Sequence, residues 1–128
     1  MIRSISFQKE FIPLIEKGRK TVTRRIKFTG IPGDIFYFKA GRLGKKEGYI
    51  KIINITKDKI KDSFYYNEYY PHEYPDDWTQ EELDREGSFD IIQDFIDLWN
   101  KLNKKSYKWE NNPMIYRIEF EYLGENEP

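Results

Sequence analysis

The sequence predicts an α+β fold: a small barrel of about five or six strands with about three helices. Several short runs rich in β-branched and aromatic residues alternate apolar with polar positions, as half-buried strands do. Two stretches instead carry the i, i+3, i+4 spacing of an amphipathic helix. The helical stretches fall between strands, which suits a small barrel with inserted helices. A length of 128 residues fits one domain, here residues 1–123, with 124–128 as a frayed tail. The apolar share of 38% is lean. The aromatic share of 17% offsets it, because each buried ring removes roughly 150–250 Å² from water.

In chain order, Ile2-Arg3-Ser4-Ile5-Ser6-Phe7 reads as a first strand. Phe11, Leu14 and Ile15 mark a helix over Gln8–Lys17, with Pro13 in its first turn, where a missing N–H has no partner to lose. Gly18 then ends the helix in the left-handed region. Thr21–Ile26 is the second strand. Val22 and Ile26 are expected to face the core, and Thr23 and Arg25 a cleft or solvent. A turn at Ile31-Pro32-Gly33-Asp34 leads to a buried strand at Ile35–Phe38. A loop rich in Gly and Lys over Ala40–Glu47 precedes a strand at Gly48–Thr56. The aromatic segment Phe64–Trp78 holds Pro71 and Pro75, which argue against regular structure. Thr79-Gln80-Glu81-Glu82 is a capping box for a short helix ending at Gly87. Ser88 can cap the next, whose Phe89, Ile92, Phe95, Ile96 and Trp99 form a core stripe opposite Asp90, Asp94 and Asp97. Met114, Tyr116, Ile118, Phe120 and Tyr122 alternate with Arg117, Glu119 and Glu121 as the last strand.

Composition narrows the chemistry. With no cysteine, disulfides, thiolate metal sites and cysteine nucleophiles are excluded. One histidine, His72, leaves no His–His metal pair. The expectation is therefore a site without metal or cofactor. No apolar run approaches the roughly 20 residues of a membrane span and no signal-peptide layout opens the chain, so a cytoplasmic protein with no membrane partner is expected. The net charge of zero argues against bulk electrostatic coating of nucleic acid. It conceals strong segregation, however. Residues Lys17 to Lys27 carry six Lys or Arg and no acid, whereas Asp76 to Asp97 carry nine acids against Arg85 alone.

The centre of the basic run is Gly18-Arg19-Lys20-Thr21-Val22-Thr23-Arg24-Arg25. This octet resembles the signature of the ASCH domain, a family of the PUA-like superfamily of small β-barrels: a helix followed by Gly-x-Lys-x-x-(Glu or Thr)-x-Arg, met here by Gly18, Lys20, Thr23 and Arg25. Gly33-Asp34 before a strand, Glu86-Gly87 before the long helix, and Trp109-Glu110-Asn111-Asn112-Pro113 before the last strand match further landmarks in order. The resemblance covers Ile5 to about Tyr122. Thr at the sixth position is similar to the bacterial N4-acetylcytidine amidohydrolases. That likeness implies an enzyme hydrolysing a linear amide, with Lys20, Thr23 and Glu86 as catalytic residues and a modified nucleoside or RNA as partner. The longer Phe64–Trp78 segment departs from those compact enzymes.

Such a trio suits amide hydrolysis, which needs a nucleophile, a proton acceptor, an oxyanion donor and a proton for the leaving amine. Arg19 and Arg25 would lower the pKa of Lys20 and Glu86 would raise it, so Lys20 serves either as base or as a charged oxyanion donor. Arg19, Arg24 and Arg25 are candidates for substrate or RNA phosphate. Tyr65 and Tyr66 are candidates for stacking on a base. Plainer readings stand beside these. Lys20 and Arg25 also suit a solvated strand edge, Thr23 a β-favouring residue, Glu86 a helix-end acid, and the tyrosines a lid over the barrel. A non-catalytic RNA-binding module and a ribonuclease are the competing functions.

Overall fold

The computed structural model describes residues 2–63 and 88–128, with the side-chain surroundings of 88–94 left aside. The short helix expected over Thr79–Gly87, the aromatic segment Phe64–Trp78 with Tyr65, Tyr66 and His72, and Glu86 all lie outside the described residues. The strands are β1 (Arg3–Phe7), β2 (Val22–Arg25), β3 (Ile35–Ala40), β4 (Lys46–Lys59) and β5 (Met114–Gly124), with helices α1 (Ile12–Glu16) and α2 (Ser88–Leu102). The fold is α+β. Its mixed sheet has the order β1-β3-β4-β5-β2. β1 runs parallel to β3, while β3–β4 and β2–β5 are antiparallel. Neither a closed barrel nor a third helix emerges among the described residues: hydrogen-bonded pairing leaves β1 and β2 as the two ends of the sheet. No described helix is long and apolar enough to cross a membrane.

The chain forms two compact units. The first comprises residues 1–56 and 116–128. Its core gathers Ile5 and Phe7 from β1, Ile12 and Ile15 from α1, Phe36 and Phe38 from β3, Ile50 and Ile52 from β4, and Ile118 and Phe120 from β5. Phe7 meets Phe38 edge-on, with ring centroids 6.2 Å apart, and tilts against Phe120 at 5.6 Å. Both are geometries the ring quadrupoles favour. The expected helix over Gln8–Lys17 is split. A single 3₁₀ turn at Lys9–Phe11 precedes α1, and Pro13 sits at the start of that helix, where its lost N–H costs nothing. Ile12 is thereby turned inward beside Ile15. Gly18 has a φ of +73°, the left-handed stop expected of it.

The second unit comprises residues 57–115. Trp99 of α2 is buried, stacks on Phe95 at 5.9 Å, and donates its indole N–H to the Tyr107 carbonyl at 2.7 Å. Trp109 meets Phe95 edge-on at 6.3 Å. The approach to β5 is tied down at Asn112, whose φ of 46° is one of the few left-handed values a non-glycine residue tolerates. Its side-chain oxygen accepts from the Lys61 amide at 3.0 Å, and the Ile60 amide donates to the Pro113 carbonyl at 2.9 Å.

Candidate functional site

The octet begins at the stop of α1. The amides of Arg19 and Lys20 both donate to the Leu14 carbonyl, at 2.8 and 3.1 Å. These bonds hold Lys20 in the turn ahead of β2 rather than on the strand. That placement matters because residues three apart on a regular strand point to opposite faces. Lys20 is half-buried. Its Nζ donates to the Val22 carbonyl at 2.8 Å and lies 4.5 Å from the centre of the Phe11 ring. Cation–π attraction and a short charged hydrogen bond thus both act on this ammonium.

Thr23 and Arg25 depart from the expected orientation. The β2–β5 register sets Thr23 opposite Ile118 and Arg25 opposite Tyr116. Cross-strand partners share a face, so both residues lie on the side of the first unit's core, not toward open solvent. Thr23 is only 7% exposed. Val22, expected to be the inward residue, is also buried, on the opposite side with Glu119 and Arg117. With both faces covered, alternation of apolar and polar residues no longer tells inside from outside. The polar pair is tolerated inward because its members satisfy each other. Arg25 Nε donates to Thr23 Oγ1 at 3.1 Å, and Nη2 donates to the Ser6 carbonyl at 2.7 Å. The guanidinium carbon lies 5.2 Å from the centre of the Phe7 ring.

Arg25 therefore reaches from β2, at one end of the sheet, to β1, at the other. A side chain makes the link that no strand ladder among the described residues makes. Among the described residues no carboxylate pairs with this guanidinium. Burial lowers its pKa to about 10, because a charge drawn from water is destabilised. The forked geometry of arginine is what lets one side chain hold a hydroxyl and a carbonyl together.

The remaining candidates are placed as follows. Arg19 and Arg24 are half-buried, and Arg24 lies directly across from Arg117 in the β2–β5 ladder. Arg117 is 3% exposed and donates to Glu119. Glu86, Tyr65 and Tyr66 lie outside the described residues. No group of three or more His, Asp or Glu side chains suited to a metal occurs among the described residues. Two participants are not visible as such in the sequence: the Ser6 carbonyl, which anchors Arg25, and Phe11, which lies beneath Lys20. The first carries no signal in a sequence, since any residue has a carbonyl. The second reads there only as part of a helix face.

No protein-family model matches the sequence, and no curated protein matches it. Solved structures do. The ASCH structure from Zymomonas mobilis aligns with a TM-score of 0.56 at 17% identity, covering 93% of this chain and 68% of that one. An ASCH domain from Lactobacillus crispatus aligns at 0.53 and 12% identity, covering 94% and 79%. The chain has the ASCH-domain fold. A hypothetical protein, PH0355, aligns at 0.56 and 20% identity over 96% of this chain and 100% of its own length. At these identities the likeness concerns fold alone.

Proposed function

We propose that this chain is an ASCH-family protein directed at modified nucleosides or RNA, and that it deacylates N4-acetylcytidine-type substrates with Lys20, Thr23 and Glu86. On this reading the sheet closes into a PUA-like barrel, with Arg25 joining its two ends. The observation that carries the proposal is the bond from Arg25 Nε to Thr23 Oγ1. A cationic donor on a hydroxyl oxygen stabilises the alkoxide character that a nucleophile develops, and it aims the hydroxyl proton elsewhere. Lys20 supports the same reading, since its turn position removes the geometric bar to acting beside Thr23.

In the proposed reaction Thr23 Oγ1 adds to the acyl carbonyl while its proton passes to the Glu86 carboxylate, Lys20 remaining a charged donor. The tetrahedral oxyanion is met by N–H donors of the basic run. Glu86 returns a proton to the departing exocyclic amine, and water then cleaves the threonyl ester to release acetate. The burial of Thr23, by contrast, favours the second reading, an RNA-binding module in which Thr23 and Arg25 are structural and the surrounding cations hold phosphate.

The test is incubation of the purified protein with a panel of acylated nucleosides, in the presence of a chelator, with mass spectrometry of the products. Deacylation is expected from the parent chain, and loss of it from Lys20→Ala with circular dichroism unchanged. No turnover on any acylated nucleoside would remove the hydrolase reading and leave the binding module.

A further inference from the structure

The β3–β4 hairpin carries a feature that neither the proposed reaction nor the core uses. Between Ala40 and Lys46 the chain reads Gly41-Arg42-Leu43-Gly44-Lys45. Leu43 is 97% exposed at its tip. A single exposed leucine means little by itself, but its surroundings are built. Gly41 has a φ of +74°. A Cβ on Gly44 would fall 2.1 Å from the Ala40 carbonyl oxygen. Only glycine fits either position without rearrangement, so the turn is tight and presents the leucine in a set direction. Arg42 and Lys45 flank it, both exposed, and no acid pairs with either among the described residues. Lys46, at the base of the hairpin, is held by the Tyr49 hydroxyl at 3.0 Å and lies over the Tyr37 ring at 4.8 Å.

The hairpin also has a defined address. The Gly41 amide donates to the Phe7 carbonyl at 2.9 Å, and Arg25 Nη2 donates to the carbonyl of the preceding residue, Ser6. The last two carbonyls of β1 thus tie the hairpin and the Thr23–Arg25 pair to one rim of the first unit. Two cations and an apolar tip on that rim suit a polyanion whose repeating unit has a flat, weakly polar face. A lipid surface suits them less, because anchoring to a bilayer scales with buried apolar area and the tip offers one side chain.

We infer that the hairpin 41–46 is a contact for single-stranded RNA, with Arg42 and Lys45 on backbone phosphates and Leu43 against a base or ribose, so that the nucleoside acted on is one residue of a strand. The substrate part of this inference rests on the hydrolase reading; the contact itself does not.

The experiment is fluorescence anisotropy of a labelled single-stranded oligoribonucleotide of roughly 12 nucleotides, a length within the usual site size for such proteins, titrated at several salt concentrations. Each phosphate neutralised by the protein adds about 0.7 to the steepness of log affinity against log salt for single strands, so Arg42→Ala/Lys45→Ala is expected to flatten that slope by roughly 1.4. Leu43→Ser is expected to weaken binding roughly fivefold with the slope unchanged, the effect of removing one small apolar contact. Both variants should deacylate a free acylated nucleoside as the parent does. If the parent deacylates nothing while the slopes still change, the contact is upheld and only the hydrolase reading fails. Unchanged slope and affinity in both variants would overturn the inference. So would unaltered RNA binding with abolished binding to phosphatidylserine vesicles, which would assign the hairpin to a membrane.

Discussion

The bond between Arg25 and Thr23 lends itself to a double-mutant cycle, because each partner can be replaced by an apolar side chain that lacks the bonding group. Thr23→Val keeps the shape of a side chain 7% exposed and removes its hydroxyl, leaving Arg25 Nε without an acceptor. Arg25→Met keeps part of the hydrocarbon stem and removes the guanidinium, with its place over the Phe7 ring and its donors to Thr23 and the Ser6 carbonyl. Stranding a buried polar group costs about 1–3 kcal/mol, so each single variant is expected to lose about that much. The Ser6 bond is absent from both limbs that contain Arg25→Met and cancels. What the cycle isolates is the 3.1 Å bond from a charged donor to a hydroxyl in a site largely closed to water. Such bonds contribute about 1.5–3 kcal/mol. The double variant should therefore be less damaged than the summed single variants by about that amount. Urea unfolding followed by tyrosine and tryptophan fluorescence gives the four stabilities, with equal m-values as the check on two-state behaviour. A coupling below about 0.5 kcal/mol, the scatter of independent sites, would refute the claim that these residues act as a pair.

Two further outcomes follow from named residues. Burial raises the pKa of the Tyr122 hydroxyl, with the charges of Glu16 and Glu125 adding to the rise. The folded chain then keeps a proton that the unfolded chain releases above about pH 10, so stability falls as pH rises through that region; Tyr122→Phe should flatten the fall in thermal unfolding curves, and an unchanged curve would count against it. At Asn112, Asn112→Gly keeps the left-handed backbone and loses only the bond to the Lys61 amide, whereas Asn112→Ala loses both. The alanine variant should be the less stable by about 1 kcal/mol in the same urea assay, and equal losses would show that the backbone angle carries no cost.

Much of the sheet was legible because its strands are written in β-branched and aromatic residues: Ile35–Phe38 and the alternation from Met114 to Tyr122 fall inside β3 and β5. Gly18 likewise announced the end of α1. β4 runs beyond the expected Thr56 to Lys59, since Lys57-Asp58-Lys59 has the polarity of a loop and extends as strand all the same. The place of β2 beside β5, and of β1 beside β3, is a long-range pairing with no local signature. At the site, alternation indicated that Thr23 and Arg25 share a face. It could not say which face, because Val22 is buried as well. The direction was decided by partners remote in sequence, Ser6 and Ile118, which no window around the octet contains.

The central claim is that Thr23 is a nucleophile, and trapping its product tests that most directly. Rapid acid quench of the protein mixed with N4-acetylcytidine, followed by proteolysis and mass spectrometry, should find one acetyl group on the peptide carrying Thr23, absent in Thr23→Val. Cytidine release with no acetyl on that peptide, together with full activity in Thr23→Val, would contradict the account.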